Sequence, residues 1–186
     1  MTTTKGSIPT LDPIEEIRRQ WGDAGLEARD AIAAAISVVR AQQLIQERID
    51  AALAPHNLTM PRFEALMVLM LAPGGSLPLG KLSEMLMVHP ATVTNTVDRL
   101  ETRGLVRRVG HPADRRTKLA QLTETGRRVT QQAIRAVAQT NAGMAELSQI
   151  ECIQIARLIR RLRLTAGDLP GREDSTPPSP PLWHSG

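Results

Sequence analysis

Apolar side chains recur at helical spacing along most of the chain, and short polar breaks divide it into elements. Ile32, Ile36 and Val39 stand four and three apart, and Ile45, Ile49 and Leu53 continue at four, the spacing that lines one face of an α-helix. Ala31, Ala33, Ala34 and Ala35 fill the gaps with the best helix former and leave room for close packing. A helical region over 14–54 follows, broken near its start by Gly22 and Gly25 and ended by Pro55-His56-Asn57. Thr59 then reads as an N-cap with Pro61 in the first turn. The helix over 62–71 is apolar nearly all round, which predicts a core position. Pro73-Gly74-Gly75 stops it. Residues 79–87 form a short amphipathic helix with Leu82, Met85 and Leu86 inward. After the turn at Val88-His89-Pro90 comes a second one, over 91–103, with Val93, Val97 and Leu100 on its buried face. Gly104 sits where a helix end wants a left-handed residue.

Beyond Gly104 the period changes. Residues 105–109 and 117–122 read as two strands around a polar turn, His111-Pro112-Ala113-Asp114-Arg115-Arg116. Thr123-Glu124 opens a helix that runs to about residue 141. A final amphipathic helix over 147–165 carries Ile150, Ile155, Leu158, Ile159 and Leu162. The expected fold is mainly α with a small two-to-three-stranded β-wing. One domain spans 14–165, with a winged helix-turn-helix lobe at 58–123 between terminal helices at 14–57 and 124–165. Residues 1–13 read as a flexible arm. Residues 166–186 are a proline-rich tail that cannot build a core. The apolar stripes on 32–53 and 147–162 exceed what one small wing lobe can cover, which predicts self-association.

Composition narrows the classes. Hydrophobic residues are 41% and charged residues 23% of 186, enough for a core. Aromatics are 2%, too few for a surface of stacked bases. No apolar run approaches the roughly 18–20 residues of a membrane span, and the N-terminus has no basic-then-apolar signal pattern. A cytoplasmic protein with no membrane partner is expected. The net charge of +4 is unevenly spread. Residues 61–130 hold eleven basic and six acidic side chains, and 99–118 hold seven basic residues against Glu101 and Asp114. A local basic patch on a small domain suggests a polyanion partner.

In a winged helix-turn-helix the second helix of the pair enters the DNA major groove. With Val93, Val97 and Leu100 buried, the opposite face carries Ala91, Asn95, Asp98 and Thr102, flanked by Thr92, Thr94 and Arg99. Asn can read adenine with two hydrogen bonds, and a Thr methyl can meet a thymine methyl. Arg99 and Arg103, later on the helix, suit phosphates. Asp98 is expected to orient the guanidinium of Arg99 or Arg103.

The segments Ala91-Thr92-Val93-Thr94, Asp98-Arg99-Leu100-Glu101, Arg103-Gly104-Leu105-Val106-Arg107, Asp114-Arg115-Arg116 and Leu122-Thr123-Glu124-Thr125-Gly126 together resemble the MarR-type bacterial regulators. The resemblance is densest over 79–126 and extends to roughly 20–165. It implies an obligate homodimer built from the terminal helices and bound to pseudo-palindromic duplex DNA, acting as a ligand-responsive repressor. It also implies a wing, comprising Asp114, Arg115, Arg116 and Lys118, in which Asp114 holds Arg116 for the minor groove. His89-Pro90 replaces the usual Ser-type cap of the recognition helix. Relatives that bind phenolic small-molecule effectors line a pocket with aromatics. Trp21 is the candidate pocket residue here, and the scarcity of aromatics speaks against a phenolic ligand. The lone Cys152 is far from the first helix, where peroxide-sensing relatives carry a reactive Cys.

Other chemistry is weaker. Gly75 to Leu82 nearly matches the phosphate-binding loop G-x-x-x-x-G-K-[ST], but a helix precedes it, Leu82 offers no oxygen for Mg²⁺ and Pro78 removes a donor. His56, His89, His111 and His184 lack metal-ligand spacing. No cofactor, metal site or enzymatic activity is expected. The competing reading is a helical dimerisation module that binds protein, with the basic ribbon incidental. It would lack salt-sensitive binding to duplex DNA.

Overall fold

A computed structural model describes residues 12–111 and 117–168. Backbone contacts divide the chain into two units, 1–47 and 48–186. In the first, Asp12 caps α1 (Pro13–Asp23) by accepting from the Ile14 N–H at 2.9 Å. Of the two glycines expected to break the helix, Gly22 is instead helical within α1, and the break falls at Gly25, with φ of +67°, before α2 (Arg29–Leu53) starts. Trp21 is half-buried, and its indole N–H donates to the Glu27 carbonyl within this connection at 3.0 Å.

The second unit holds the end of α2 and the remaining elements. These are α3 (Met60–Leu71), β1 (Ser76–Pro78), α4 (Leu79–Leu86), α5 (Pro90–Thr102), β2 (Val106–Gly110), β3 (Lys118–Leu122), α6 (Glu124–Gln139) and α7 (Gln149–Thr165). Leu53, Leu66, Leu69, Leu82, Val93, Val97, Leu100 and Val106 are its largest fully buried apolar side chains. Helix α3 supplies Phe63, Ala65, Leu66 and Leu69 to this core, as its composition predicts, although Leu71 is exposed. Thr59 does occupy the N-cap of α3, but its hydroxyl makes no capping hydrogen bond.

The sheet has three antiparallel strands in the order β1-β3-β2. Leu77 faces Ala120, Arg107 faces Gln121 and Val109 faces Leu119. Strand β1 disposes of the near-match to a phosphate loop. Ser76 to Pro78 are ladder residues of the sheet, so this backbone does not form a cradle.

Helix α6 docks where β3 ends. The Thr123 hydroxyl caps α6 by accepting from the Gly126 N–H at 2.9 Å and donates to the Gly104 carbonyl at 2.7 Å. One side chain thus ties the start of α6 to the end of α5. Helix α7 carries a complete capping box at Ser148 and Glu151, yet none of its residues is buried. Its apolar side chains face solvent in the single chain: Ile150 is 68% exposed, Leu158 61% and Leu162 64%.

Candidate nucleic-acid interface

The N-terminus of α5 is fixed by an unusual cap. His89 is extended, and its Nδ1 accepts from the Ala91 N–H at 3.2 Å. The imidazole therefore does the work of the Ser or Asp that more often caps a helix. Pro90 fits the first turn, where a missing N–H costs nothing. Val93, Val97 and Leu100 are buried, as the helical period predicts. Ala91, Thr92, Thr94, Asn95, Asp98, Arg99, Thr102 and Arg103 are all exposed. The polar face read from the sequence is thus one continuous surface.

Hydrogen bonds order that surface in ways the sequence did not disclose. The Arg99 Nε–H donates to Asn95 Oδ1 at 3.0 Å, one helical turn away, and so fixes the Asn95 amide. The oxygen keeps a second lone pair and the amide keeps its N–H donors, so both functions needed for an adenine edge remain. The Thr94 hydroxyl donates to the Pro90 carbonyl at 3.1 Å. That spends its proton and leaves the methyl as its distinctive feature.

One expectation is corrected. Asp98 does not orient Arg99 or Arg103. Its Oδ1 pairs with Arg108 Nη2 at 2.6 Å, from strand β2. The Arg103 guanidinium is anchored as well, donating to the carbonyls of Asn57 at 2.5 Å and His56 at 3.0 Å.

Arg108 is the main residue that sequence reasoning missed. Besides Asp98, its guanidinium donates to Glu101 Oε2 at 2.5 Å, and its backbone N–H donates to Glu101 Oε1 at 2.9 Å. The strand is therefore latched to two turns of α5. Hydrogen bonds from the Arg108 backbone and then its guanidinium hold the Glu101 carboxyl below its ordinary range. A carboxyl lowered in the folded state stabilises the fold above the ordinary Glu value of about 4.3, and this contribution is lost as pH falls through the lowered value. Thermal unfolding followed against pH should show this loss in the wild type and less of it in Glu101→Gln. The Asp98–Arg108 pair is part-exposed, so a double-mutant cycle should give a coupling of only about 0.2–1 kcal/mol in stability. Zero coupling would remove the latch.

On the wing, Lys118 is exposed and pairs in register with Gly110. The ribbon is held by the His111 N–H donating to the Thr117 carbonyl at 3.1 Å. Asp114, Arg115 and Arg116 lie outside the described residues. Arg107 donates across the strands to Gln121 Oε1 at 2.8 Å.

A capped polar helix behind a short helix and turn, latched to a β-ribbon, defines a winged helix-turn-helix protein. A family model described as "MarR family" matches residues 58–118. The chain is 32% identical over 109 residues to the uncharacterized HTH-type transcriptional regulator YhbI of Bacillus subtilis, spanning 59% of this chain and 70% of that protein. It is 40% identical to Sco5413, a MarR family transcriptional regulator from Streptomyces coelicolor, with a TM-score of 0.68 over 76% of this chain and 99% of that one. It also matches Bordetella bronchiseptica BpsR, solved in a study of how 6-hydroxynicotinic acid regulates its DNA binding. The identity is 26% and the TM-score 0.62, over 69% of this chain and 91% of that one. The chain belongs to the MarR family of transcriptional regulators. Among the described residues, no helix is long and apolar enough to cross a membrane.

Proposed function

We propose that this protein is a cytoplasmic, non-enzymatic repressor that binds a pseudo-palindromic operator as a homodimer and responds to a small molecule. The observation that carries DNA binding is the exposed polar face of α5, capped at His89 and latched to the wing through Arg108. In this reading Ala91, Thr92, Thr94 and Asn95 meet base edges, Arg99 and Arg103 meet phosphates, and Asp114, Arg115, Arg116 and Lys118 form the wing contact. Residues 14–57 and 124–165 make the dimer. The effector class rests on BpsR, whose DNA binding is regulated by 6-hydroxynicotinic acid, and on Trp21 as the candidate pocket residue.

The test is direct readout by Asn95. Asn95→Ala should cost about 1–3 kcal/mol on the cognate duplex and relax the preference at one position. Equal weakening on cognate and random DNA would move Asn95 to the backbone or out of the interface.

The wing gives a second test. A narrow minor groove concentrates negative potential and attracts an inserted Arg. Asp114, two residues before Arg116, can accept from its guanidinium and hold it extended. Simple electrostatics says that removing an acidic residue helps DNA binding. The orienting role says the opposite. Asp114→Ala and Arg116→Ala should each weaken cognate binding, and the double mutant should be less than additive. Arg115→Ala should weaken cognate and random DNA alike. Tighter cognate binding by Asp114→Ala would leave the tip a plain basic patch.

A further inference from the structure

Three arginines and Thr102 line a groove of about 230 Å³ beside the C-terminal half of α5. Arg99 and Arg103 come from that end of the recognition helix, and Arg62 comes from the first turn of α3, outside the helix-turn-helix pair. No carboxylate lines the groove. The Arg62 side chain makes no hydrogen bond or ion pair among the described residues. Its position is also unfavourable, since a cation in the first turn opposes the helix dipole. Like charges placed together without a counter-charge raise the free energy of the unbound protein, and an anion at their centre relieves it.

The other two guanidinia are fixed but not used up. Arg103 is docked on the His56 and Asn57 carbonyls, which spends two of its five N–H donors. Arg99 spends its Nε–H on Asn95, which leaves both terminal nitrogens. Two pre-positioned forks and one unpartnered fork therefore border one groove, with the Thr102 hydroxyl committed to the Asp98 carbonyl at 2.9 Å. Fork-shaped donors around a small groove suit a tetrahedral oxyanion.

We propose that Arg62, Arg99 and Arg103 form a seat for one phosphodiester of the bound duplex, with Arg62 as a backbone contact supplied by α3. This rests on the DNA-binding reading of α5 and extends it. The seat adjoins the helix whose first turns approach the bases, so it grips the backbone bordering the same stretch of groove. Phosphate contacts fix register and carry no base preference. Arg62 should therefore contribute affinity and salt dependence without specificity.

The experiment measures affinity against salt concentration for wild type, Arg62→Gln and Arg62→Lys, as full chains. The probes are a duplex selected from genomic DNA by the wild type and a random-sequence duplex. Arg62→Gln should lose roughly tenfold per half-site on both duplexes, since the lost bond is to a charged group. Its salt slope should be shallower by up to about 0.9 for each half-site. Arg62→Lys should keep the slope and lose part of the affinity, because it keeps the charge without the fork. It is also the variant to read if Arg62→Gln lowers the melting temperature. Wild-type affinity and slope in both variants would overturn the seat while leaving the regulator reading intact. Absence of salt-sensitive duplex binding by the wild type itself would overturn both. A third outcome separates the source of the anion. It is displacement of wild type but not Arg62→Gln from DNA by inorganic phosphate at constant ionic strength, with equal salt slopes. That would make the occupant a free anion and overturn the backbone assignment.

Discussion

Deleting residues 147–186 should convert the protein from a tight dimer to a monomer and abolish high-affinity DNA binding. Helix α7 is well specified as a helix, with a capping box at Ser148 and Glu151, and yet it buries nothing in the single chain. Ile150, Ile153, Ile155, Leu158 and Leu162 are all exposed. Burying each such side chain is worth about 1.5–3 kcal/mol, and a two-fold interface counts each one twice. The stripe on α2 points the same way, with Ile36, Val38, Val39 and Leu44 exposed. Loss of the dimer removes the second half-site contact, so the affinity loss should exceed that of any point substitution. Sedimentation reads the first effect and duplex titration the second, with far-UV circular dichroism to show that the lobe survives. A truncated chain that still sediments as a tight dimer would transfer the interface to other elements.

The largest effect of a single substitution on stability should come from Gly126→Ala, and its sign sets two principles against each other. Gly126 lies in the first turn of α6, and by helix propensity alone Ala should stabilise by about 1 kcal/mol. Packing opposes this. A Cβ at Gly126 would stand 2.0 Å from the Leu105 carbonyl oxygen and 2.9 Å from Leu122 Cδ1. The oxygen cannot easily retreat, because it is held by the Thr123 N–H, which donates to it at 3.1 Å. Backbone must move, and overpacking of this kind costs about 1–3 kcal/mol or more. The net should be destabilising by about 1–2 kcal/mol, since the clash is with backbone, which lowers the melting temperature by roughly 2–8 °C in a chain of this size. An unchanged or higher melting temperature would mean that α6 shifts freely on the sheet. The Leu-Thr-Glu-Thr-Gly segment thus has a local logic: Thr123 supplies the cap, and Gly126 permits the approach that the cap enforces.

The recognition helix was legible because its signal is local. Val93, Val97 and Leu100 set the buried face, and the rest of the helix follows from 100° per residue. The early break at Gly25 and the helix end at Gly104 were legible for the same reason, both having positive φ. Strand β1 was not. Three residues ending in Pro78 have no period, and only pairing with β3 makes them a strand. The latch was hidden too. Arg108 and Asp98 are ten residues apart, and their meeting depends on how β2 folds back along α5. Arg103 shows a further limit. Its charge and place on the helix suggested a phosphate, and nothing in the sequence announced that the His56 and Asn57 carbonyls would hold its guanidinium. At His89 the sequence signalled a missing cap, because an imidazole nitrogen is an uncommon acceptor at that position.

The proposed function depends above all on the polar face of α5 reading duplex DNA as one of two symmetric half-sites. Footprinting the full chain on duplexes selected from genomic DNA tests it most directly. The expected result is salt-sensitive protection of a two-fold symmetric site, with half-site centres about one helical turn, 10–10.5 base pairs, apart, and loss of preference at one position per half-site in Asn95→Ala. Salt-insensitive binding, or protection with no common sequence and no symmetry, would contradict it.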